Sequence, residues 1–197
     1  MSKKKSHPVL WVLLIIFVGL VILASLNRSS KPEDKSVSSA PLLPTPFELQ
    51  NAEKAGLSKE FASQGWILHR YSMNKFMPLA GYDPDEGLKL PPDDDLRASL
   101  TKLKDVQHTE ADKVAFQRMA ALVWATHTAS QLRSRGSEDL AYKQAYHMAD
   151  DCFIAVDTSF RGGTGGAAAN AVHRCLIEQP KVKADLNKQG VSTWNSL

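Results

Sequence analysis

Hydrophobic and polar positions divide the chain into three stretches of different character. Residues 9–26, VLWVLLIIFVGLVILASL, run for 18 positions without a charge. Residues 27–46, NRSSKPEDKSVSSAPLLPTP, are rich in Ser, Pro and charge and poor in large apolar side chains. Beyond them, apolar residues recur at spacings of three and four, the period of an amphipathic helix.

The first stretch, read as a helix, is about 27 Å long, which matches the hydrocarbon core of a bilayer. It follows Lys3, Lys4 and Lys5 and lacks a small-x-small cleavage pattern at its end. It therefore predicts an uncleaved signal anchor, contacting the lipid bilayer through residues 9–26. The leading basic segment, residues 1–8, is expected in the cytoplasm. The large C-terminal part is then outside it, periplasmic in a bacterium, with the chain held in the inner membrane. Residues 27–46 cannot bury enough surface to offset their ordering entropy and read as a flexible linker. At about 20 residues, such a tether has a root-mean-square span on the order of 25 Å.

Helix signals punctuate residues 47–197. Thr45 and Pro46 form an N-cap and first-turn proline, opening PFELQNAEKA before Gly56. Ser58 opens KEFASQGWILHRYSMNKF, with Phe61, Gly65, Leu68, Ser72 and Phe76 on one stripe. DDD at 93–95 begins a short helix to about Lys104, its acids complementing the N-terminal dipole. Thr109 and Asp112 resemble a capping box for a long helix ending at Gly136, with Ala111, Val114, Ala115, Leu122, Ala125, Ala129 and Leu132 on its apolar stripe. Ser137 is expected to cap the next, whose seam is Tyr142, Tyr146, Ala149, Phe153 and Val156. Two further helices are predicted at about 165–178 and 182–189. No segment alternates as a strand would, so the domain is read as all-α, a compact unit of five to six helices.

Charge confirms this division. Residues 1–35 hold six basic side chains against two acids, which leaves the remainder at −1 of the chain's total of +3. The basic balance belongs to the anchor flanks. The domain thus lacks the excess of positive charge that nucleic-acid binding requires, and no nucleic acid is expected as a partner.

SFRGGTGGAAANAVHRC, residues 159–175, is the stretch most like a cofactor motif. Gly163, Gly165 and Ala168 satisfy G-x-G-x-x-G/A. A dinucleotide turn needs a preceding strand and a second strand bearing an acid about 20 residues on. Asp185 has that spacing but sits in the helical, polar KVKADLNKQ. The glycines are read instead as a bend between antiparallel helices, and no cofactor is expected. Cys152 and Cys175 are equidistant from that bend, so they should meet across it. In an oxidising compartment they should form a disulfide. A zinc site with His147 and His173 is disfavoured, because the helical offsets of each His from its neighbouring Cys do not converge. No metal is expected.

Residues 77–95, MPLAGYDPDEGLKLPPDDD, form a long irregular stretch. Asp83, Asp85 and Asp94 faintly mimic calcium-loop positions one, three and twelve. Glycine, however, falls at the fifth position, the fifth ligand is missing and the last residue is Asp instead of Glu. The stretch is read as a proline-stiffened surface loop offering Tyr82, Asp83, Asp85 and Glu86 to a partner, with Arg161 at the glycine bend as a fifth candidate. No G-x-S-x-G elbow or H-E-x-x-H occurs, and His69, His108 and His127 are scattered. No catalytic residue is assigned. The expected function is that of a non-enzymatic membrane protein with one transmembrane helix, its periplasmic helical domain binding other envelope proteins of a secretion, conjugation or cell-envelope complex. The alternative is an inhibitor or immunity-type protein that neutralises an envelope-targeting enzyme.

Overall fold

A computed structural model of the protein describes residues 43–84, 93–163 and 166–191, with the side chains of 93–95 excepted. The expected anchor at 9–26 and nearly all of the linker lie outside these residues, as do Asp85 and Glu86. The described residues form helices α1 (Pro46–Lys54), α2 (Lys59–Phe76), α3 (Asp93–Asp105), α4 (Glu110–Ser134), α5 (Leu140–Arg161), α6 (Gly166–His173) and α7 (Gln179–Lys188). A 3₁₀ turn, Met77–Ala80, follows α2, and a π turn, Arg174–Glu178, joins α6 to α7 in one continuous rod. The result is six rods and, among the described residues, no strand. No helix among these residues is long and apolar enough to cross a membrane.

Helix ends follow local chemistry closely. Thr45 and Glu48 make a reciprocal capping box at α1, and Ser58 accepts from the Phe61 amide at α2. α1, α4 and α7 each stop at a glycine with positive φ, namely Gly56 at 91°, Gly136 at 74° and Gly190 at 75°. In each case the amide one residue beyond reaches back to a last-turn carbonyl: Leu57 to Ala52, Ser137 to Leu132, and Val191 to Leu186. This closure explains why Ser137 does not cap α5. Its backbone is engaged in ending α4, and Asp139 caps α5 by accepting from the Tyr142 amide.

The expected break between the last two helices does not occur. Pro180 has no N–H to offer the Leu176 carbonyl, and in a regular helix its ring would crowd that carbonyl. The π turn lies immediately before it and includes Leu176. One wider turn accommodates the proline without ending the rod.

α4 forms the axis of the fold. Residues 121–129 are all buried, Thr126, His127 and Thr128 among them, so this helix has no solvent face over more than two turns. It packs most extensively against α5, and α1, α2, α3 and the final rod surround this pair. Of the predicted apolar stripe, Ala115, Leu122, Ala125, Ala129 and Leu132 are buried, whereas Ala111 is partly buried and Val114 is 39% exposed.

One buried carboxylate anchors the entrance of α4. Asp112 accepts backbone N–H groups from Ser58 at 2.9 Å, His108 at 2.8 Å and Thr109 at 3.0 Å. Thr109 also donates its hydroxyl to the Gly56 carbonyl at 3.0 Å. The turn before α2 and the turn before α4 are therefore tied together. Burial alone would raise the Asp112 pKa, but the hydrogen bonds from His108, Ser58 and Thr109 outweigh it and hold the group below its ordinary value.

An aromatic spine joins α2 to α5. It runs Tyr142, Tyr146, Phe76, Phe153, His69, Trp66, Phe160, Phe61, with successive ring centroids 5.1 to 6.3 Å apart. The predicted α5 seam supplied its tyrosines and Phe153, which are only partly buried. Ala149 and Val156 of that seam are fully buried, and so are Ala145, Cys152, Ala155 and Phe160, which the seam did not include.

Gly65 is what lets the spine approach α2. A Cβ there would stand 2.5 Å from Phe160 Cζ, a ring tip that is itself fully buried. Gly65→Ala is expected to lower the unfolding free energy by about 1–3 kcal/mol, overriding the roughly 1 kcal/mol by which Ala normally favours a helix. Urea unfolding of both proteins measures this, and an unchanged or higher midpoint would refute the packing account.

Candidate functional site

Of the candidate partner-binding residues, Tyr82, Asp83 and Arg161 are described, and Arg161 lies apart from the other two. Tyr82 (63% exposed) and the exposed Asp83 follow the 3₁₀ turn, which closes at Gly81 with φ 82°. This end of the domain is tyrosine-rich: Tyr82 lies near enough to Tyr146 to contribute, after burial and the Asp150 and Tyr142 charges, to raising its phenol pKa. Arg161 closes the other end of α5, 15 residues beyond Tyr146, a rise of about 22 Å. There it pairs with Asp157 at 2.6 Å and lies over the Trp66 ring at 5.5 Å, so much of its guanidinium is engaged within the domain.

The cysteines do meet. Cys152 and Cys175 are both fully buried, with their sulfurs at disulfide-bonding distance and Cα atoms 4.9 Å apart. Next to them, Asp151 receives Arg174 in a two-pronged ion pair, Nε to Oδ2 at 2.7 Å and Nη2 to Oδ1. His147 lies one turn before Asp151 on the same helix, but it is Arg174, from across the hairpin, that pairs with it. The residues before the glycines, 153–160, are helical, so the glycine stretch is a helix-to-helix bend without the strand that a dinucleotide turn requires. His147 and His173 are exposed, and among the described residues no three His, Cys, Asp or Glu side chains group as a metal site would need.

Open grooves mark the surface of the described residues. One of about 570 Å³ lies between α4 and the π turn, with Phe116, Trp124, Leu176 and the exposed Ile177 along it and Lys183 5.8 Å above the Trp124 ring. A second, of about 600 Å³, follows the Asp151–Arg174 pair, with His147, Asp150 and Glu178 nearby. A third, of about 450 Å³, lies at the glycine bend, with Leu57, Ala111, Val114, Arg118, Ser159 and Gly163 among its lining.

Arg118 was not anticipated from sequence, although its position carried a signal. It occupies the apolar stripe of α4 between Ala115 and Leu122, where a cation is out of pattern. In the fold its Nη1 donates to Ser159 Oγ at 2.7 Å and to the Ala155 carbonyl at 3.3 Å, and its buried Nε finds no partner among the described residues. Burial pulls its pKa below the ordinary guanidinium value. No described carboxylate pairs with it, since Glu110 at the groove rim is paired with Lys113 at 2.6 Å.

No protein-family model, curated protein or solved structure matches the chain. Chemistry must therefore be read from the residues themselves, and the most perturbed of them is His69. It is 1% exposed, stacked on Phe153 at 5.2 Å and edge-on to Trp66 at 5.1 Å, and neither ring nitrogen has a hydrogen-bond partner among the described residues. Burial, then the charges of Arg161 and Arg70, lower its pKa from 6.5 to about 4. Such a group is a neutral spacer in the aromatic spine and is closed to any substrate.

This burial has a consequence in acid. Between pH 6.5 and about 4, the unfolded chain takes up a proton at residue 69 and the folded chain does not. Stability should therefore fall as pH drops through that window, by roughly 3 kcal/mol in total. His69→Leu should lose this part of the slope in urea titrations run at stepped pH. An identical slope in both proteins would show that His69 is not the group responsible.

Proposed function

We propose that the protein is a non-enzymatic membrane component with one transmembrane helix, residues 9–26, its N-terminus cytoplasmic and its helical domain outside the inner membrane. In this reading the domain binds other envelope proteins, as a scaffold or assembly part of a secretion, conjugation or cell-envelope complex. The observation that carries it is the buried Cys152–Cys175 pair held at bonding distance across the glycine bend. Disulfides persist in oxidising compartments, and an uncharged 18-residue segment behind a basic start is a means of placing the domain in one. The surface is consistent with binding: open grooves bordered by exposed apolar residues such as Val114 and Ile177 suit protein contact better than capture of a small substrate.

Membrane location and oxidation are tested together on the full chain. It should fractionate with membranes and migrate faster without reductant than with it, and Cys152→Ser should abolish that difference. Absence of a shift in the wild type would refute the extracytoplasmic placement. Substituting both cysteines by Ala should cost about 3 kcal/mol of unfolding free energy.

The binding reading is tested by crosslinking intact cells and identifying what is joined to the chain. An envelope protein, together with loss of function when the domain is exported without residues 9–26, supports the scaffold. Full complementation by the untethered domain points to the inhibitor reading, and crosslinks to no envelope protein refute both.

A further inference from the structure

We propose that the groove at the glycine bend docks a carboxylate side chain of a protein partner, with Arg118 as its receiving cation. The groove's floor is aliphatic, from Ala55, Leu57, Ala111 and Val114, and its far side is Ser159, Gly162 and Gly163. Arg118 stands between them. Its Nη1 is fixed by Ser159 and Ala155, which orients the guanidinium plane before any ligand arrives. Its Nη2 has no partner among the described residues, leaving a donor for an acid approaching along the groove.

A half-buried guanidinium without a carboxylate is costly unless something completes it. The nearest acid along the groove, Glu110, is 86% exposed and turned to Lys113. Three other arginines do find carboxylates within the fold, Arg70 in Glu48, Arg161 in Asp157 and Arg174 in Asp151. Arg118 differs from them in lining an open groove with no carboxylate partner among the described residues.

Gly163 supplies a second, independent observation. Gly162 has φ 68° and needs to be glycine, but Gly163 does not have a left-handed φ, and a Cβ added there would meet nothing within 4 Å. Neither backbone nor packing demands glycine at 163. What its missing side chain does leave is an open lip beside Arg118, where the main chain of another protein can come close. Aliphatic floor, cation and bare backbone together fit a short acidic segment flanked by aliphatic residues.

This inference rests on the partner-binding reading but is tested apart from it. The full chain, labelled with ¹⁵N at Gly and Arg and held in detergent micelles, is titrated with acetyl-Ala-Val-Glu-Val-Ala-amide and with its Gln counterpart. The Glu peptide should move the Arg118 Nε–H and the Gly162 and Gly163 amide signals, and the Gln peptide should bind about tenfold or more weakly. Arg118→Gln should abolish the response. So should Gly163→Leu and Val114→Asp, which leave Arg118 in place while blocking the lip or presenting an internal carboxylate one turn away, and neither needs to disturb a buried contact. Equal response to both peptides, no response, or shifts in the variants matching the wild type would overturn the proposal. Acetate or inorganic phosphate acting as strongly as the Glu peptide would also overturn it, by showing a small-anion site. Failure here would leave crosslinks between the chain and an envelope protein standing, and absence of crosslinks would leave the groove's own preference intact.

Discussion

A stretch of helix with no solvent face dictates the architecture. Residues 121–129 of α4 are buried on every side, and no single neighbour can cover them. Amphipathic helices each present one apolar stripe, so several must be arranged round this axis before any is satisfied. α5 covers the largest part, and most of its buried positions are small, four of them alanines. α2 then rests on this pair through an aromatic spine that tolerates wider spacing. Small residues set one helix interface and rings the other, so the two differ in character for a reason visible in composition.

Within that arrangement, polar groups fix register where apolar contact alone would allow sliding. At one end, Asp112 satisfies three amides from two separate turns and so sets how α2 enters beside α4. On the opposite flank, Asp151–Arg174 and Cys152–Cys175 are adjacent rungs across one hairpin. Two cross-links of different chemistry at neighbouring positions specify the same alignment of α5 with the final rod. The π turn begins at Arg174 and contains Cys175, so the widened backbone is held on its inner side by both rungs. Pro180 is thereby accommodated next to the best-fixed point of the hairpin.

Much of this architecture was legible along the chain. Caps, terminal glycines and the three-four spacing located α1, α2 and α4 within a residue or two, since each signal is local and physically sufficient. The meeting of the cysteines followed from symmetry about the glycines. What escaped notice depended on tertiary partners. Ser137 reads as a cap until its amide is seen closing α4; Pro180 reads as a stop until a π turn precedes it; Asp151 has one plausible partner on its own helix and a stronger one across the hairpin. The candidate surface was less legible. Tyr82 lies near Tyr146, whereas Arg161 ends α5 15 residues further on and is already engaged with Asp157 and Trp66. Arg118 was visible only as an interruption of a stripe, because the residues that give it meaning, Ser159 and Gly163, are more than 40 positions away.

The same fold decides how the domain would respond to mechanical tension. Arg70 donates from Nη1 to the Leu43 carbonyl at 3.1 Å and from Nη2 to both Glu48 carboxylate oxygens at 2.9 and 3.1 Å. Glu48 in turn closes the capping box with Thr45. A pull delivered through the chain ahead of Leu43 thus meets a guanidinium clasp rooted in α2 before it reaches α1, and it must shear charge-assisted hydrogen bonds together instead of peeling a helix turn by turn. Force at the N-terminal edge would be passed sideways into α2, and the point where the polypeptide enters the domain would behave as a hitch more than as a hinge.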